Sequence, residues 1–298
     1  LADITLLDGG NGQEILRRAG KSAHPLWSLQ VMFDTPEVVT EVHAAFVAAG
    51  ARVLTLNTYT VTPTRMARNG IGDRFAEAHA TALRLARRAA TAGVQIAACL
   101  PPLVASYRAD VRLDYPLALA EYRRLVAAQV AGADILLIET MSSIDEATAA
   151  LDAAKESDLP VLLALSLADD GTDRLRSEEP LAEALARLVP KKPDGILLNC
   201  SSPEAISRSL PRLADSGLPF GGYANAFTSV EALTPGGTVD ALSARTDMTP
   251  GRYAEFTESW RAAGATLLGG CCEVGPDHIA AVARALGRAG HRATGFHR

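Results

Sequence analysis

Three cysteines carry the strongest chemical signal in this sequence: Cys200 and the adjacent pair Cys271 and Cys272. Three thiolates make a soft ligand set, which selects zinc among the common ions. A site with three protein ligands leaves the fourth tetrahedral place open, and an open place marks a catalytic ion. A substrate atom would fill it. Other readings of these residues stay open here. Buried free Cys is common as a small hydrophobe, and that reading is adopted for the fourth cysteine, Cys99. A vicinal disulfide between Cys271 and Cys272, strained and rare, is another.

Sulfurs so far apart in the chain need a scaffold that gathers strand ends. Short apolar runs rich in Val, Ile and Leu recur at 3–8, 52–58, 94–99, 134–139, 161–167, 195–200, 219–224 and 265–270. Most are apolar nearly throughout, as expected of strands buried on both faces of a parallel sheet. Between them lie segments of helical periodicity, among them 36–49, 75–92, 117–131, 144–155 and 253–263. Gly50, Gly93, Gly132, Gly217 and Gly264 stand where helices should stop before the next strand. Eight strand–helix repeats predict an α/β fold, a single (β/α)8 TIM-type barrel over residues 1–290. Residues 291–298 carry no apolar pattern and read as a loose tail. A doubly wound open sheet is the alternative, and the repeat count disfavours it.

Barrel enzymes place their chemistry at the C-terminal ends of the strands. The polar residues cluster there in sequence: Asp8-Gly9-Gly10, Asn57-Thr58-Tyr59, Cys99, Glu139-Thr140, Asn199-Cys200, Asn225 and Gly269-Gly270-Cys271-Cys272. Neighbouring residues of a strand point to opposite faces, so Cys271 and Cys272 converge only if the strand bends. Gly269 and Gly270 are expected to supply the backbone freedom for that bend. No Lys ends any of the eight runs, which argues against a Schiff-base aldolase.

The 298 residues fit one barrel, and 48% hydrophobic with 21% charged residues is ordinary globular composition. A net charge of −5 argues against a dedicated nucleic-acid binder. No apolar run reaches the roughly 18 residues of a membrane span. The start, Leu1-Ala2-Asp3-Ile4-Thr5, lacks the basic flank and apolar stretch of a signal peptide. A reducing cytoplasm is therefore the expected location, and cysteines there read as metal or catalytic groups before disulfides.

The sequence resembles the homocysteine S-methyltransferases. The matching motifs are Leu6-Leu7-Asp8-Gly9-Gly10, Leu26-Trp27-Ser28, Asn57-Thr58-Tyr59, Ile138-Glu139-Thr140, Asn199-Cys200-Ser201-Ser202-Pro203, and Gly269-Gly270-Cys271-Cys272 followed by Pro276 and His278-Ile279. The resemblance implies a (β/α)8 barrel holding Zn2+ through Cys200, Cys271 and Cys272, with homocysteine sulfur as the fourth ligand. It implies that Asp8 and Glu139 hold the amino-acid end of the substrate. Gly9, Trp27, Asn57, Thr58, Tyr59 and Asn225 are the further candidate substrate-binding residues. The chain departs from the family pattern at Asn11, at Ala224-Asn225-Ala226-Phe227 and at Glu273-Val274-Gly275.

The mechanism expected on this resemblance is methyl transfer to a thiolate, giving methionine. A thiol with a pKa of about 8.5 is mostly protonated at neutral pH, and metal binding removes the proton. A sulfonium donor such as S-methylmethionine is a cation that aromatic faces attract, and Trp27, Tyr59, Tyr107 and Tyr223 are the candidates. The partners expected are small molecules, homocysteine and a methyl donor, with no nucleic acid and no membrane. A homo-oligomer is compatible with the sequence. The competing readings are the same chemistry with betaine or another donor, a non-enzymatic zinc or thiol binder on a barrel, and a barrel lyase with structural cysteines.

Overall fold

The computed structural model describes residues 3–21, 25–26, 28–235 and 237–298. Among them, nine strands form one sheet: β1 (Asp3–Leu6), β2 (Val53–Thr55), β3 (Gln95–Leu100), β4 (Ile135–Met141), β5 (Val161–Leu165), β6 (Gly195–Asn199), β7 (Phe220–Tyr223), β8 (Leu267–Leu268) and β9 (Arg292–Thr294). Their order is β2-β3-β4-β5-β6-β7-β8-β1-β9, and every pairing is parallel. Helices fill the intervals between successive strands, which makes this an α/β fold. The sheet curls until the end of β1 meets β2. Leu7 bridges Val53, Arg52 N–H donates to Leu6 O at 2.8 Å, and Asp8 N–H donates to Val53 O at 2.9 Å.

The side-chain period of two explains the nearly continuous apolar runs. Leu7, Val53, Ala97, Leu137, Leu162, Leu197 and Leu267 pack together on one face of the curled sheet. Their neighbours Leu6, Leu54, Ile96, Leu136, Leu163, Ile196 and Leu268 join the larger core with the helices. Both faces are dry, so neither register of residues is free to be polar.

Helix ends follow local rules. The helix Pro36–Ala49 has the expected bounds, while Phe75–Ala89, Tyr115–Gln129, Ile144–Ala154 and Pro250–Ala262 differ from expectation by one to three residues at an end. Ser143, Ser202 and Thr249 accept a first-turn N–H at helix starts, and Pro takes an opening position in several. Gly50, Gly93, Gly217 and Gly264 adopt positive φ at their turns, as stop signals should. Gly132 does not. The Leu83 side chain lies against it, so close packing is the reason for a glycine there.

Two expectations change. The run 265–270 shortens to Leu267–Leu268, and Gly269 and Gly270 do not use a positive φ. They are needed for space: a Cβ at Gly270 would collide with the Val274 side chain, and one at Gly269 would lie 2.8 Å from Leu7 Cβ. The left-handed residue of this turn is instead Glu273, at φ 63°. The second change is at the C-terminus, where the loose tail is absent. Asp3, Ile4 and Thr5 pair with Arg292, Ala293 and Thr294, and Phe296 is buried in the inner core cluster. Gln95 exchanges two hydrogen bonds with the Phe296 backbone, at 2.6 and 3.1 Å. The pattern is short because β9 is an edge strand, which needs backbone pairing more than a hydrophobic face. Among the described residues no helix is long and apolar enough to cross a membrane.

Candidate metal and substrate site

The ends of β1, β2, β4, β6, β7 and β8 open into one cavity. Asp8, Gly9, Thr55, Tyr59, Tyr107, Glu139, Cys200, Tyr223, Cys271 and Cys272 line it, and Leu233, Gly237, Thr238 and Val239 reach it from the long segment after β7.

Cys200 directly follows β6 and takes a left-handed φ of 48°, which turns it off the strand. Its N–H donates to Tyr223 O at 3.2 Å, and its carbonyl accepts from Arg176 Nη2 at 3.2 Å. Cys271 N–H donates to Ala224 O, and Cys272 O accepts from Ala226 N–H, both at 2.9 Å. The pair is thereby stitched to the end of β7 although it has left β8. Gln13 and Glu273 clasp this turn to the first helix: Gln13 Nε2 donates to Glu273 Oε1 at 2.6 Å, and Glu273 N–H donates to Gln13 Oε1 at 3.1 Å.

The three sulfurs lie within 4.8 Å of one another. Sulfurs sharing one tetrahedral ion stand about 3.8 Å apart, so this donor set suits a soft, thiophilic ion. One difference from expectation concerns oxidation state. Cys200 and Cys271 are joined as a disulfide, with Cα atoms 5.7 Å apart, whereas Cys272 and Cys99 are free. The vicinal Cys271–Cys272 bond is not formed. Three thiolate ligands exist only after the Cys200–Cys271 bond has been reduced, because a disulfide sulfur carries no charge to offer an ion. Burial pushes the Cys272 thiol up to about 12, an environment in which the free thiol keeps its proton.

Two buried carboxyls face the same cavity. Asp8 accepts from Thr55 N–H and from Thr55 Oγ1, each at 2.9 Å. Burial raises its pKa to about 8 against these two bonds, and the charge of Glu139 adds to the rise. Glu139 is likewise pushed above the usual carboxyl range by burial, opposed by bonds from Cys99 and Tyr223. The Cys99 thiol donates to Oε1 at 3.0 Å and the Tyr223 hydroxyl to Oε2 at 3.3 Å. Cys99 is therefore buried as expected, but it is a donor to Glu139 rather than only a hydrophobe. A cationic group entering between these carboxyls would find two partners already oriented and desolvated.

The remaining candidates divide. Gly9 and Tyr59 line the cavity, and Tyr59 Oη donates to Ser106 Oγ at 2.9 Å. Asn57 and Thr58 are not in its wall. Asn57 is bonded to Ser28, and Thr58 Oγ1 donates to Gln129 Oε1 at 3.1 Å, so both brace the loop after β2. Asn225 also stays behind the wall, where its Oδ1 accepts from Phe227 N–H at 3.2 Å. Trp27 lies outside the described residues. The sequence did not single out Thr55 or Arg176, and Cys99, buried as expected, adds a bond to Glu139. Counting by twos along each strand would have flagged two of them: Thr55 follows Val53, and Cys99 follows Ala97, both on the inner face.

Over residues 5–286 the chain matches the family model described as homocysteine S-methyltransferase. The chain belongs to the homocysteine S-methyltransferase family. A homocysteine S-methyltransferase from Escherichia coli is 30% identical, with 94% of each chain covered. A Bacillus subtilis relative carrying the same description, YbgG, is 27% identical, again over 94% of this chain. Among solved structures, the metallated form of the E. coli homocysteine methyltransferase MmuM superposes with a TM-score of 0.79 at 26% identity, covering 94% of this chain and 96% of that one. The oxidized form of the same enzyme gives 0.77 at 27% identity, over 94% and 95%. Family membership and the cysteine cluster thus agree, and solved relatives exist in both metallated and oxidized forms.

Proposed function

We propose that this protein transfers a methyl group from a sulfonium donor, S-methylmethionine foremost, to the thiol of homocysteine, giving methionine. One observation carries the reading: three cysteine sulfurs within 4.8 Å of one another border the cavity that also holds the buried carboxyls of Asp8 and Glu139. That pairing of a thiophilic corner with a cation-binding corner suits a molecule with a thiol at one end and an ammonium at the other. The curled sheet is read as a (β/α)8 TIM-type barrel and the chain, β9 included, as one catalytic unit, supported by the Leu7–Val53 bridge and the β1–β9 pairing.

Cys200, Cys271 and Cys272 would hold Zn2+ once reduced, and the ion would supply a place for the substrate sulfur and stabilise it as a thiolate. The protein's own groups do the rest. Asp8 and Glu139 accept the ammonium in charge-assisted hydrogen bonds, with Thr55, Cys99 and Tyr223 fixing where their oxygens stand. Gly9 borders the cavity beside Asp8, and its lack of a side chain lets the Val274 carbonyl and the Phe46 ring pack against it. Tyr59, Tyr107 and Tyr223 give the cavity an aromatic lining that favours a cationic donor by about 0.5–2 kcal/mol per contact. The thiolate sulfur attacks the methyl carbon in line with the donor's C–S bond. A new C–S bond forms, and the old bonding pair stays with the donor sulfur, which leaves as a neutral thioether. The thiol proton passes to solvent. Thiols kept reduced are a requirement of this site, which suits a cytoplasmic location.

The test is a donor screen with homocysteine on reduced, zinc-loaded protein, reading methionine formation. S-methylmethionine, S-adenosylmethionine, betaine and dimethylsulfoniopropionate are offered separately. Turnover with S-methylmethionine supports the reading, turnover with betaine alone moves the donor, and none with any donor overturns it. Glu139→Gln separates the enzyme from a zinc-binding barrel: homocysteine affinity should fall while zinc content stays at one per chain.

A further inference from the structure

The residue after Glu139 and the residue before Cys200 are locked together. Thr140 N–H donates to Asn199 Oδ1 at 2.9 Å, and Asn199 Nδ2 donates to Thr140 Oγ1 at 3.0 Å. The two bonds run in opposite directions between one pair of fully buried residues, so they fix orientation as well as distance. They also skip a strand. Thr140 belongs to β4 and Asn199 to β6, and β5 lies between them in the sheet. The β4–β5 register shifts between Ile138 and Met141, which takes Thr140 out of the ordinary ladder.

Backbone strain marks the same place. Thr140 has φ 61° and Cys200 has φ 48°. For a β-branched residue such as Thr this conformation is a true outlier, held only where surroundings impose it. Here both bonds of Asn199 end on Thr140, and Asn199 itself leads into the second strained residue. Neither side chain lines the cavity, so neither meets a substrate.

We infer that Asn199 and Thr140 form a positioning clasp that sets the separation between the Glu139 carboxylate and the Cys200 sulfur, and so selects the amino thiol by chain length. The inference rests on the methyltransferase reading above. In that reading the ammonium is held at the Asp8–Glu139 end and the sulfur at the cysteine end. A rigid separation accepts two methylenes between the amino-bearing carbon and the sulfur, as in homocysteine. It penalises cysteine, which is one methylene shorter. Loosening the clasp relaxes that choice before it affects either end alone.

The experiment uses the full chain, reduced and zinc-loaded, with Asn199→Ala, Thr140→Ala and Thr140→Ser. Homocysteine and cysteine are compared by calorimetric binding and by kcat/KM, beside zinc content and thermal melting. Asn199→Ala is expected to keep one zinc per chain and to raise homocysteine KM more than it lowers kcat. The homocysteine-to-cysteine ratio should fall by about tenfold, the scale of one methylene's discrimination. Thr140→Ser keeps both bonds and should resemble the wild type. If Asn199→Ala does not fold, Thr140→Ala keeps the N–H bond and loses the other, with an expected fall in the ratio of about threefold. An unchanged ratio in a folded, zinc-loaded clasp variant overturns the inference. A wild type that methylates neither thiol with any donor overturns the functional reading instead, and the two failures are told apart by the wild-type control.

Discussion

Cys99 donates its thiol hydrogen to Oε1 of Glu139 across 3.0 Å, tying β3 to the end of β4 from behind the cavity lining. A thiol is a weak donor, yet this one is fully buried and its partner carboxyl is nearly so. Cys99→Ala removes the donor and leaves Oε1 bare. Hydrogen bonds to charged groups contribute about 1.5–3 kcal/mol, so homocysteine KM should rise at least about tenfold. Cys99→Ser, with a shorter but stronger donor, should recover much of the loss. Steady-state kinetics at fixed donor checks both, and equal KM in the alanine variant and wild type removes Cys99 from the site.

Oxidation state should govern metal binding. With Cys200 and Cys271 joined, thiol titration in denaturant should count two thiols per chain, Cys99 and Cys272, and zinc uptake should be weak. A dithiol supplies two electrons and two protons and opens the bond. The count then rises to the four cysteines of the sequence, and zinc binds at about one per chain. Uptake of a full equivalent by the oxidised protein would contradict the assignment of Cys200 and Cys271 as ligands.

Single replacement of Cys200, Cys271 or Cys272 by Ala should each strip the zinc and abolish methionine formation, by at least about a hundredfold, since two thiolates bind far more weakly than three. Cys99→Ala should leave zinc content intact. Atomic absorption on the four reduced variants separates these three cysteines from Cys99.

Asp8 should trade stability for binding. Burial holds its pKa near 8 in the folded protein, against 3.8 as the ordinary value. The folded state therefore binds more protons than the unfolded state between these values, and this contribution to stability is present at low pH and lost as pH rises through 8. Asp8→Asn keeps a neutral group at all pH values. It should melt higher than wild type at pH 8, by roughly 2–4 °C for each kcal/mol recovered, and bind homocysteine poorly. In the wild type, an ammonium ligand favours the ionised carboxyl, so homocysteine affinity should increase from pH 6 toward pH 8. Calorimetry across that range tests the sign, and affinity independent of pH would place the ammonium elsewhere.

Local rules were enough for much of this protein. Dry strands show as continuous apolar runs because both faces of the sheet are covered, and helix stops show as Gly50, Gly93, Gly217 and Gly264 because only a left-handed turn returns the chain to the sheet there. Strand ends are countable in a sequence, and Cys200, Cys271, Cys272, Asp8 and Glu139 placed there do come to one cavity.

What the tertiary structure alone decided concerns contacts between distant residues. Whether Cys271 pairs with Cys272 or Cys200 depends on how the turn after β8 meets the end of β6, 71 residues away in sequence. Thr55 and Cys99 became donors to Asp8 and Glu139 only when neighbouring strands fixed their register. Asn57 and Thr58 sat in a matching motif but turned away to brace a loop, since a motif records residue order and not the direction a side chain takes. The last strand was hidden because three edge residues joined by backbone hydrogen bonds leave no hydrophobic period to read.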